Sequence, residues 1–103
     1  MKYQLVLQFR GDGLADFDVL VALEDRLIAE LGTSGKVDGH DFGSGTGNIF
    51  IFTSDPDLTF WRTRQLLQRE GRLQSVTAAH RPIDGDDYTV IWPKDCQTTF
   101  SIL

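Results

Sequence analysis

Residues 36–57 read KVDGHDFGSGTGNIFIFTSDPD, and the six residues NIFIFT at 48–53 are the point from which the fold can be worked out. After Asn48, β-branched and aromatic residues run without a charged break, which marks a strand that is apolar on both faces. Upstream, Gly43, Gly45 and Gly47 interrupt the chain after KVDGHDF, so 36–53 reads as a hairpin with Gly43–Gly47 as a five-residue loop. Downstream, Asp55 is placed to cap a helix, Pro56 suits its first position and Asp57 favours its dipole. Phe60, Trp61, Leu66 and Leu67 supply the apolar side of that helix, and Gly71 closes it.

Working outward, residues 3–10 alternate Tyr3, Leu5, Leu7 and Phe9 with Gln4, Val6, Gln8 and Arg10, the period of a strand with one buried face. A helix follows over 16–31, with Asp16 as N-cap and Phe17, Leu20, Leu23, Leu27, Ile28 and Leu31 near one stripe, ended by Gly32. The last hairpin is SVTAAHRPI at 75–83, a turn at Asp84-Gly85, and DYTVIWP at 87–93. The order β-α-β-β-α-β-β predicts one α+β domain over 1–103. Its expected form is a ferredoxin-like β-α-β-β-α-β sandwich with an additional C-terminal strand and both helices on one face of an antiparallel sheet.

Charge and composition narrow the function. Fifteen acidic residues against ten basic ones give a net charge of −5, the wrong sign for wrapping phosphates, so nucleic acid is not an expected partner. Arg62, Arg64, Arg69 and Arg72 form a local exception, which reads as a solvated helix face paired with the acidic remainder. No apolar run nears the length of about 18 residues that spans a bilayer, and the N-terminus shows no signal-like core, so a cytoplasmic protein with no membrane partner is expected. A single cysteine, Cys96, excludes an internal disulfide.

A sheet with helices on one side leaves its other face for function. With a five-residue loop, Phe42 would pair with Asn48, His40 with Phe50 and Asp38 with Phe52, all on the open face, while Val37, Ile49 and Ile51 would lie under the helices. Arg81 would pair with Tyr88, and His80 with Thr89. A one-residue slip in either hairpin reverses these faces. Two phenylalanine rings bare to water would each forgo about 2 kcal/mol of transfer free energy, so Phe50 and Phe52 need a cover: the tail Phe100–Leu103, a second subunit, a ligand or a protein. Asp38, His40, Asp41, Asn48, Phe50, Arg81 and Tyr88 are therefore the candidate ligand- or partner-binding residues.

The chemistry-bearing motifs are weaker. Gly43–Gly47 lacks the spacing and the lysine of a phosphate loop and precedes a strand rather than a helix. Asp38 and His40 would converge on one face, but two ligands from one strand do not make a metal site. Cys96 has no histidine near it in sequence, and no serine stands in a nucleophile elbow. No catalytic residue, metal or cofactor is expected.

The run DGHDFGSGTGNIFIFTSDP, followed by YTVIWP, resembles a group of small bacterial proteins of about this length that carry no assigned activity. The likeness spans nearly the whole chain and implies the ferredoxin-like topology and no established chemistry. The expected function is a non-enzymatic protein- or ligand-binding module that uses the open sheet face and the glycine-rich loop. Two alternatives are an immunity-type protein that neutralises a toxin and a dimeric enzyme resembling small cofactor-independent monooxygenases, with Asn48, His40 and Trp61 as its polar groups. A small-ligand regulatory domain is a further form, and a homodimer through the sheet face fits several of these.

Overall fold

In a computed structural model, which describes residues 2–10, 17–43 and 46–93, the chain runs β1 (Tyr3–Arg10), α1 (Phe17–Leu31), β2 (Lys36–Gly43), β3 (Thr46–Thr53), α2 (Pro56–Arg69), β4 (Val76–Pro82) and β5 (Thr89–Trp92). The strands lie in the order β2-β3-β1-β4-β5, with every neighbouring pair antiparallel. This is the ferredoxin-like α+β sandwich expected from the sequence, with β5 added beside β4. The expected cap Asp16, the loop residues Ser44 and Gly45, Cys96 and the tail Phe100–Leu103 lie outside the described residues.

The helix ends follow their local chemistry. The Asp55 carboxylate accepts the Leu58 N–H at 3.1 Å, and Pro56 opens α2. At the other end Gly71 takes φ +71°, Arg72 N–H reaches Leu67 O at 2.8 Å and Gly71 N–H reaches Gln68 O at 3.2 Å, the paired bonds of a Schellman motif. Gly32 ends α1 at φ +56°. Between the helices, the Thr53 and Thr59 hydroxyls both donate to Ser34 O, at 3.0 and 2.8 Å, and tie the start of α2 to the α1–β2 connection.

Leu20, Leu23, Leu27 and Leu31 of α1 and Phe60, Leu66 and Leu67 of α2 pack on Leu5, Leu7, Phe9, Ile49, Ile51, Val76 and Ala78. Two residues expected on these apolar sides stand in solvent instead: Ile28 is 55% and Trp61 57% exposed. At about 100° per residue, Ile28 lies roughly a quarter turn from the centre of the leucine stripe, and Trp61 is nearly opposite the Thr59–Thr63–Leu67 side of α2. β1 departs from its expected single buried face. Val6 and Gln8, on the side away from the helices, are buried along with Leu5 and Leu7.

The β2–β3 register corrects the expected pairing. Asp41 lies opposite Asn48, His40 opposite Ile49 and Phe42 opposite Gly47, so the two strands close more tightly than a five-residue loop allows. A β-bulge lies between Val37, opposite Ile51, and Gly39, opposite Phe50, with Asp38 as the extra residue. One added residue reverses every face that follows it. Val37 stays with Ile51 on the helix side as expected, but His40 moves there too, and Asp41 takes the other side.

Candidate functional site

The sheet face away from the helices gathers Gln4, Val6 and Gln8 of β1, Asn48, Phe50 and Phe52 of β3, Thr77, Ala79 and Arg81 of β4, and Gly39 and Asp41 of β2. Its centre is dry: Val6, Gln8, Asn48 and Ala79 are each no more than 1% exposed. Helix packing does not account for this burial, since both helices pack on the opposite side. Two amides in such a place need partners. Gln8 Nε2 donates to Asn48 Oδ1 at 3.1 Å, across the β1–β3 pair where the two residues stand directly opposite.

Towards the β2 edge the face opens. Phe50 and Phe52 are half-buried, and Asp41, opposite Asn48, is exposed, as is Asp38 at the bulge. The result is an aromatic ridge with carboxylates beside it. Asn48 and Phe50 therefore share this face as expected, and the changed register brings Asp41 to them, with Asp38 at their margin.

The other candidates part from this group. Arg81 does lie on the same face, opposite Gln4, but its Nη1 donates to the carbonyls of Pro82, Ile83 and Gly85 at 3.0 to 3.1 Å. The Tyr88 ring lies 5.9 Å from the Arg81 guanidinium. Together the two form a clamp on the β4–β5 turn. In the last hairpin the structure puts Arg81 on the face away from the helices, and pairs His80 with Thr89, as expected, and with Leu5 on the helix side.

His40 is the main correction. It lies on the helix side, where its Nδ1 is 2.6 Å from Glu24 Oε1 of α1. A carboxylate only accepts, so the imidazole N–H is the donor. Glu24 is 8% exposed, a charge set among Leu20, Leu23 and Leu27. The sequence reading missed Glu24, although an acidic residue within a leucine stripe is a visible signal that a partner must reach it from another element.

Several of the remaining charges are paired between the helices and the turn after α2. Arg26 grips Glu70 through both its Nε and, at 2.7 Å, its Nη2, and Arg72 Nε stands 3.6 Å from the same carboxylate. The Arg26 hydrogen bond holds the Glu70 carboxyl below the usual carboxylate range, partly opposed by burial. Arg69 pairs with Glu30 at 3.0 Å, and the Arg64 guanidinium lies 4.5 Å from the Trp92 ring centre. Of the four arginines at 62–72, Arg69 and Arg72 thus pair with carboxylates as expected, and Arg64 lies on an aromatic ring instead. Among the described residues, no group of three or more His, Cys, Asp or Glu side chains is placed to hold a metal ion, and no helix is long and apolar enough to cross a membrane.

Compared with known proteins, the chain matches no protein-family model, no curated protein and no solved structure.

Proposed function

We propose that this chain is a non-enzymatic binding module that takes a partner on the β2–β3 margin of the helix-free sheet face. The observation that carries the reading is the half-buried pair Phe50 and Phe52 beside exposed Asp38 and Asp41, at the margin of a face whose centre, at Val6, Gln8, Asn48 and Ala79, is closed. An apolar centre with a charged rim is the make-up of a recognition patch. The net charge of −5 adds long-range attraction for a basic partner, which speeds encounter more than it tightens the complex. An immunity-type protein bound to a basic toxin is one form of this function, and a second copy of the chain is another possible occupant.

The test is capture of partners from a lysate of the source cells by the immobilised protein, run beside Phe50→Ala and Asp41→Lys. The reading expects a specific partner that both variants lose. A partner retained equally by both variants refutes this location. Sedimentation velocity on the protein alone, with the same variants, separates self-association from binding to another chain.

The Glu24–His40 pair favours a second reading, because a carboxylate that orients an imidazole is a common arrangement of a general base. It would serve the dimeric-enzyme alternative. The stability lost in His40→Ala weighs this role against a structural one.

A further inference from the structure

A second site lies at the far end of the strands, where β1 begins and β4 ends. Lys2, Tyr3, Pro82, Ile83 and Asp84 line an open cavity of about 480 Å³, within the range of small-molecule sites. Backbone hydrogen bonds tie its two sides together. Lys2 N–H donates to Thr53 O at 3.2 Å, and Ile83 N–H donates to Lys2 O at 2.9 Å, which joins the two walls. Arg81 holds the turn that carries Ile83 and Asp84 through three carbonyls. The Tyr3 ring stands edge-on to His80, with centroids 5.8 Å apart.

Among the described residues, the lining combines apolar surface with two opposite charges. Tyr3, Pro82 and Ile83 offer ring and aliphatic surface, and Ile83 is 44% exposed. Lys2 brings an ammonium and Asp84 a carboxylate. Among the described residues neither side chain is engaged in an ion pair or a hydrogen bond, so both charges remain open to a ligand. A ligand that suits this lining carries both charges and an apolar body of a few carbons.

We infer that this cavity binds a small apolar zwitterion, the chemical class of a free amino acid with an uncharged side chain. The ligand carboxylate meets Lys2, its ammonium meets Asp84, and its side chain lies on Tyr3, Pro82 and Ile83. Exposed charges are screened by water and salt, so the binding is weak and weakens further as salt is added. The site shares no residue with the β2–β3 margin, and the two readings stand or fall separately.

The test is an amide-resolved NMR titration of the whole protein with L-leucine, with 3-methylbutylamine, which lacks the carboxylate, with 4-methylpentanoate, which lacks the ammonium, and with glycine, which lacks the apolar body. The expected result is saturable shifts at Lys2, Tyr3, Ile83 and Asp84 with L-leucine, and affinity lower by about threefold to fivefold for each of the other three. Lys2→Ala should abolish the advantage of L-leucine over the amine, and Asp84→Asn its advantage over the acid. Both positions are exposed, and unchanged shifts in α1 and α2 confirm that the variants fold. Shifts that do not saturate overturn the inference, as does equal binding of L-leucine and its truncated analogues.

Discussion

Replacing His40 by alanine should destabilise the protein by about 2 kcal/mol, because the Glu24 carboxylate would then be left almost buried without its donor. A hydrogen bond to a charged group is worth roughly 1.5 to 3 kcal/mol, and loss of a partner from a fully buried ion pair costs about 3 to 5 kcal/mol. The His40 side chain is 26% and the Glu24 side chain 10% exposed, so water repairs part of the loss and the lower range applies. Urea unfolding followed by far-UV circular dichroism reads this directly. With a slope of about 1.5 kcal/mol per molar urea, the midpoint should fall by a little over 1 M with the slope unchanged. Glu24→Leu, alone and with His40→Ala, completes a cycle. The double variant should be more stable than His40→Ala alone, since the stranded charge has gone, and the coupling should be about 1 to 2 kcal/mol. A shift in midpoint below about 0.3 M for His40→Ala, with additive effects in the cycle, would refute the structural role and turn attention to the acid–base reading.

Three further outcomes follow from the same geometry. Glu70 has a folded-state carboxyl held below its unfolded value by Arg26, so its contribution is present above the ordinary carboxylate range and is lost as pH falls through the lowered value. Glu70→Gln should accordingly flatten the acid limb of urea midpoints measured from neutral pH downward, and added salt should shrink the difference. Asp55→Ala removes the cap on Leu58 N–H and should cost about 1 kcal/mol in the same assay, with Asp55→Asn largely restoring it. Gln8→Ala strands the Asn48 amide on the closed part of the second face and should cost about 1 to 3 kcal/mol. Gln8→Ala combined with Asn48→Ala should cost less than the sum of the two single changes, as chemical denaturation would show.

Where a structural feature is decided within a few residues, the sequence reads clearly. Asp55-Pro56-Asp57 carries its own helix start, and Gly32 and Gly71 their own stops, because capping needs only the local backbone. The alternation in β1 and the density of NIFIFT placed the two central strands for the same reason. The site was less legible because it depends on parity. The bulge at Asp38 adds one residue, and a strand's side chains alternate with period two, so a single insertion transfers His40 from one face to the other. Gly39, at φ +155°, is the one local mark of that irregularity. Glu24 and His40 are sixteen positions apart on different elements, and only the charge within the leucine stripe hinted that the pair existed. Gln8 stood at an expected face position, but its burial with Asn48 depends on packing that alternation does not specify.

The same bulge bears on how a partner would be recognised. β2 is an edge strand of eight residues, and an open edge of that length invites pairing with a strand from another chain. Its regular spacing is broken at Asp38, and Lys36, Asp38 and Asp41 put exposed charges along it. Bulges and charges are the features by which edges resist strand addition. On the adjacent strand, Phe50 and Phe52 are half-buried rather than sealed, and they lie on the sheet face rather than along its edge. This favours recognition by side chains laid on the face over extension of the sheet by main-chain bonds. Asp41→Lys, which keeps the edge charged but reverses its sign, distinguishes the two modes. It should weaken a basic partner held by side chains and leave a strand-adding one nearly unaffected.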